Sequence, residues 1–140
     1  MRKIQVVAAL LLLVTACMTP SQPGTSGGVT PTIDASMGSE FEISAGQEAK
    51  VQGSSIVIRF NGVTEDSRCP SDVQCVWAGD AVARLSLSGA GAIDASLHTT
   101  LDPKAVQHAG RTITLVDLKP IPRSGTKIMA LEYIATLRVN

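Results

Sequence analysis

From residue 40 onward, apolar and polar positions alternate in short runs. In SSIVIRFN (54–61) Ile56, Ile58 and Phe60 fall on one side, with Val57, Arg59 and Asn61 on the other, the period-two pattern of a strand with one buried face. FEIS (41–44) sets Phe41 and Ile43 against glutamates and a serine. DAVARLSLS (80–88) aligns Ala81, Ala83, Leu85 and Leu87, and AIDASLHTT (92–100) aligns Ile93, Ala95 and Leu97. The closing run MALEYIATLRV (129–139) places Leu131, Tyr133, Ala135, Leu137 and Val139 together. Turn signals stand between the runs: Gly46, Gly53, Gly89-Ala90-Gly91, Gly110 and PIPRSG (120–125). DPKAVQHAG (102–110) is the one place that suits a short helical turn, with Pro103 at its first position and Gly110 past its end. The pattern predicts an all-β domain of about seven strands. Its short connections require antiparallel pairing, as a β-sandwich or a small β-barrel.

The first residues follow a different rule. MRKIQVVAALLLLVTAC opens with Arg2 and Lys3, continues with an apolar run from Ile4 to Val14 and closes on small residues, the layout of an exported leader. The run is roughly half of the ~20 apolar residues that a bilayer-spanning helix needs. Val14-Thr15-Ala16-Cys17 resembles the lipobox of bacterial lipoproteins, in which the cysteine sulfur receives a diacylglyceryl group and becomes the new N-terminus. That resemblance implies a signal peptide at 1–16, a lipidated Cys17 and a membrane partner reached through the anchor. With Met18 in place of aspartate, it implies the outer membrane, facing the periplasm, in a Gram-negative cell. Ordinary cleavage after Ala16, leaving Cys17 free, is the alternative.

With Cys17 assigned to lipid, Cys69 and Cys75 remain as a pair, and an oxidising compartment makes their disulfide the default. A seven-residue loop gains only about 2 kcal/mol from such a bond, so it shapes a loop more than it holds a fold. Residues 18–37, MTPSQPGTSGGVTPTIDASM, are dominated by Pro, Gly, Ser and Thr and read as a flexible tether. Its expected reach is about 25 Å, enough to hold a small domain clear of lipid headgroups. The domain proper is expected at 38–140.

Charge narrows the function classes. Twelve basic residues balance twelve acidic ones; losing Arg2 and Lys3 with the leader leaves ten against twelve, a mature charge near −2. No clustered basic face suggests nucleic acid.

The segment DSRCPSDVQCVWAGDA (66–81) holds the lone tryptophan two residues after Cys75. If the alternation of residues 81–87 extends backward, Trp77 and Gly79 face the core beside the sulfur bridge, with the indole as a plug and Gly79 as its packing surface or a bulge. The segment resembles the DSRCP-x4-C-[VI]-W-x-G-x-A signature of small bacterial secreted proteins and lipoproteins. Their later L-x-x-L-x-P-x-P and EY elements have counterparts here in Leu115, Leu118, Pro120, Pro122, Glu132 and Tyr133. The resemblance spans most of residues 54–140 and implies a β fold without a particular activity.

Competing chemistries fit less well. Zinc would need ligands beyond the cysteines, and His98 and His108, expected at the surface, stand at no metal-binding spacing. A redox centre wants C-x-x-C at a helix N-terminus. Asp66 with Asp72 or Asp80 could pair as carboxylates, but Asp66 beside Arg68 reads more simply as an ion pair or turn cap. No nucleophile elbow, phosphate-binding glycine loop or H-E-x-x-H is present in the sequence. The expectation is a non-enzymatic, lipid-anchored binding or structural module with no cofactor or metal and a possible protein partner at the envelope. Arg68, Pro70 and Asp72 on the clasped loop are its candidate contact residues. The alternative is an inhibitor of an envelope lysozyme or protease.

Overall fold

The computed structural model describes residues 31–140. The expected leader (1–16), Cys17 and most of the expected tether lie outside the described residues. Nine strands form in chain order: β1 (Thr32–Ala35), β2 (Glu40–Ser44), β3 (Glu48–Val51), β4 (Val57–Asp66), β5 (Ala81–Ser88), β6 (Ile93–His98), β7 (Ala105–His108), β8 (Arg111–Lys119) and β9 (Ile134–Val139). They build a five-stranded sheet ordered β1-β3-β4-β5-β6 and a four-stranded sheet ordered β2-β9-β8-β7. The two sheets pack face to face and neither closes on itself, so the domain is a β-sandwich and not a barrel.

Alternation decides which side of each strand is buried. Ile56, Ile58 and Phe60 meet Ala81, Ala83, Leu85, Leu87 and Leu97 from the first sheet, and Ile43, Ile113, Leu118, Ala135, Leu137 and Val139 from the second. Fully burying one such aliphatic or aromatic side chain is worth about 1.5–3 kcal/mol. Register shifts mark three places where the alternation slips, two in β4 and one in β8. In β8 the partners step from Leu115↔Leu137 to Asp117↔Thr136, an irregularity at Val116. This bulge lets residues three apart, Leu115 and Leu118, both face inward, and so explains the L-x-x-L spacing.

Several expectations need correction. The folded part begins before residue 38: β1 pairs with β3, Ile33↔Ala49 and Ala35↔Val51, and buries Ala35. That pairing is parallel, because β2 crosses to the other sheet before β3 returns. All other pairings are antiparallel. Residues 105–108 are a strand paired with β8, not a helical turn; a hairpin with the two-residue turn Ala109–Gly110 gives that backbone its hydrogen bonds. Leu131 is exposed because Ala130–Glu132 forms a 3-10 turn and β9 starts only at Ile134. His108 is buried, and its Nε2 has no hydrogen-bond partner among the described residues.

Candidate functional site

Three longer connections emerge at one end of the sandwich, beside the short turn 45–47 between β2 and β3: 67–80 between β4 and β5, 99–104 between β6 and β7, and 120–133 between β8 and β9. The first begins as an extension of its hairpin. Ser67 N–H donates to Asp80 O (2.7 Å) and Cys69 N–H to Ala78 O (2.9 Å). Gly79 makes this possible. Its φ is +69°, and a Cβ there would lie 1.8 Å from the carbonyl oxygen of Ser67, so only glycine fits between the two arms. Beyond it, the Cys69–Cys75 disulfide closes the tip with a Cα–Cα separation of 5.9 Å.

The same glycine overturns the expected burial of Trp77. The backward extension of parity assumed unbroken extended backbone from Cys75 to Ala81. The left-handed Gly79 interrupts it, and β5 starts only at Ala81. The indole is 82% exposed and Val76 90%. Gly79 serves the close approach to Ser67 and is no packing surface for a buried indole.

Of the three candidate contact residues, Arg68 turns inward, while Asp72 stays exposed and bonds to the neighbouring connection. Arg68 pairs with Asp66 (2.7 Å), each side chain only 12% exposed, and its guanidinium also donates to the carbonyls of Leu118 and Pro120 (3.0 Å for the latter). Tyr133 Oη donates to the same carboxylate (3.1 Å). Burial works against the charge on Asp66, but the hydrogen bonds and charge of Arg68 and the Tyr133 hydroxyl hold its pKa below the ordinary carboxylate value. Burial and the Asp66 carboxylate push Tyr133 up, which keeps it a donor. Asp72 accepts from the Ser124 N–H (2.8 Å) and from its hydroxyl, and these bonds hold its pKa down. Ser71 N–H donates to Pro122 O (2.9 Å). Pro70 is half-buried, and its carbonyl accepts from Val73 N–H (3.3 Å). Arg68 and Asp72 therefore fasten 67–80 to 120–133. Pairing of carboxylates does not occur: Asp66, Asp72 and Asp80 each have separate partners.

Asp80 fastens the third connection. Its carboxylate lies 2.6 Å from His98 Nδ1 and accepts from Thr99 Oγ1 (3.2 Å) and the N–H groups of Thr100 (2.8 Å) and Leu101 (3.4 Å). Desolvation opposes its charge, yet these donors prevail and hold its pKa down to about 2. His98, expected as a plain surface residue, is half-buried against it. The pair holds the turn at 99–101 against the start of β5. The turn in question sets Leu101 beside Trp77, and the two share a cleft of about 330 Å³ with Ser67, Ala78 and Gly79. Sequence reading missed Asp80, His98, Ser124, Tyr133 and Leu101 as parts of this end.

Of the nine large hydrophobic side chains exposed among the described residues, seven sit on these three connections, Trp77, Val76 and Leu101 among them. A second cleft, about 340 Å³ on the outer face of the larger sheet, is polar. Its Arg59 pairs with Glu48 (3.3 Å) and its Ser86 with Asp94 (2.6 Å). Among the described residues no group of three or more His, Cys, Asp or Glu is arranged to hold a metal ion, and no helix is long and apolar enough to cross a membrane. Comparison with known proteins returned no matching family model, no matching curated protein and no matching solved structure.

Proposed function

We propose that this protein is a lipid-anchored module of the bacterial envelope that works by contact and not by catalysis, through the end of the sandwich that carries the clasped loop. One observation carries the reading: an indole 82% exposed on a loop held by a disulfide, by backbone bonds and by side-chain ties to both neighbouring connections. A large apolar side chain kept in water by so many constraints loses little entropy when it is covered, which is the condition for an efficient contact residue. The leader, the lipobox around Cys17 and the resemblance of residues 66–81 to small secreted proteins and lipoproteins support the envelope address. The contact residues on this reading are Val76, Trp77 and Leu101, while Arg68 and Asp72 position them. Mass measurement of the exported chain tests the anchor: the expected mass is that of a chain starting at an acylated Cys17, and an unmodified Cys17 overturns it.

The protrusion of Val76 and Trp77 from a pinned loop also favours a second reading, an inhibitor that inserts this tip into the cleft of an envelope hydrolase. Assays of lysozymes and proteases with the protein at micromolar concentration test it. Inhibition lost on Trp77→Ala supports the second reading; no inhibition across the panel removes it.

A further inference from the structure

The exposed apolar side chains at the clasped end are spread over three separate connections. Val76, Trp77, Leu101, Ile121, Met129 and Leu131 are the most exposed of them. The connections together carry four basic and four acidic side chains, and the adjoining strand ends add Lys119, Glu65 and Asp66, so this end is near neutral and offers an ionic partner little to select. Exposed apolar side chains without an excess of either charge, tryptophan among them, have the chemistry of a surface that settles into the headgroup region of a bilayer, where indole is favoured.

Where the chain enters the sandwich points the same way. Thr32 pairs with Glu48, and Glu48 with Arg59, while β4 runs on from Arg59 to Asp66 at the clasped end. β1 is parallel to β3 and so starts on its clasped-end side. Seven residues separate Arg59 from the end of β4, which at ~3.3 Å each puts Thr32 about 20 Å short of the connections. Fifteen residues separate Cys17 from Thr32, and a chain of that length with a Gly/Ser/Pro-rich composition has a relaxed span of about 20 Å. Because β1 begins before residue 38, the available tether is shorter than its composition alone suggested. A linker whose relaxed span matches the distance it must bridge gives the highest effective concentration of one site at the other.

We infer that the clasped end docks on a lipid surface, that of the bilayer holding the acylated Cys17, with Val76, Trp77 and Leu101 at headgroup depth. The inference rests on the proposed anchor for its orientation and effective concentration, and on the exposed tips for the contact itself. Being near neutral, the contact persists in high salt and shows no preference for anionic lipid.

Trp77 is the sole tryptophan, so its fluorescence reads the contact directly. The acylated chain in phosphatidylcholine vesicles is expected to show Trp77 quenched by bromine atoms placed high on the lipid chains, equally in low and high salt. Water-like, unquenched emission overturns the inference. The full chain with Cys17→Ala separates this result from the anchor: added to the same vesicles, it should partition weakly, and Val76→Ser with Leu101→Ser should lower that partition by at least roughly tenfold. If Cys17 proves unmodified, quenching of the soluble chain at high lipid concentration still supports docking, and its absence overturns it. Shielding of Trp77 that grows with protein concentration in the absence of vesicles, in step with dimer formation, assigns the tips to a second copy and also overturns it.

Discussion

The two ends of the sandwich are built by opposite means. At one, the strands are joined by 36–39, 52–56, 89–92 and 109–110, turns of two to five residues with no charged side chain. Backbone geometry does the work there. Gly89, at φ +113°, sits where a Cβ would lie 1.8 Å from the Ser55 carbonyl oxygen, so neighbouring turns touch main chain to main chain. At the other end, beside the three-residue turn 45–47, connections of fourteen, six and fourteen residues are too long to hold themselves. Arg68, Asp72 and Asp80 tie them together, and the apolar side chains that this frame supports are left facing water. A short turn needs only the right residue in the right place, whereas a displayed surface needs polar side chains beneath it.

The largest expected effect breaks that frame. Arg68→Ala strands the Asp66 carboxylate with little solvent and releases the carbonyls of Leu118 at the end of β8 and of Pro120 in the 120–133 connection, at a cost of about 3 kcal/mol in urea unfolding. The corresponding change at the outer-face pair, Arg59→Ala, should cost less than about 1 kcal/mol, because that pair is solvated. Equal effects would mean that the clasped end is not specially dependent on its side chains.

The disulfide ranks next. Replacing Cys69 and Cys75 by serine should cost about 2 kcal/mol, with faster amide exchange confined to 67–80 and unchanged exchange at 89–92. Global unfolding would show that the bridge holds the fold and not the loop.

These consequences were unevenly legible in the sequence. Alternation located the core faces of β4, β5, β6 and β9, because period two is a local property, although Ile93 at the start of β6, expected to face inward, is exposed. β1, β3 and β7, four residues each, are too short for alternation to register. The Cys69–Cys75 pairing is expected from the cysteine count once Cys17 is assigned to lipid, and the disulfide forms between these two. The Asp66–Arg68 pair is visible because its partners are two residues apart. Asp80 with His98, Asp72 with Ser124 and Asp66 with Tyr133 are separated by 18, 52 and 67 positions, and nothing in a single chain signals such pairings. The misplacement of Trp77 has a local cause. One left-handed glycine ends the extended backbone over which parity can be carried.

Acid should separate the ends more gently. The folded pKa of Asp66, Asp72 and Asp80 is lowered, that of Asp80 to about 2, so the stability they contribute is complete above the ordinary carboxylate value. It is lost as pH falls from about 4 through about 2, where the unfolded chain takes up protons first. Proteolysis at 67–80 should rise over that interval while the glycine turns stay resistant; parallel loss at both ends would contradict the assignment.

The smallest stability effect belongs to Trp77 itself. Trp77→Ala should change unfolding by no more than about 0.5 kcal/mol, against about 3–5 kcal/mol for a tryptophan buried in a core. The most direct test needs no substitution. In the folded chain free of lipid and partner, with the disulfide intact, the single indole should emit as in water and be quenched by iodide nearly as freely as in the unfolded chain. Blue-shifted emission that iodide does not reach would place the indole inside the domain and remove the contact surface.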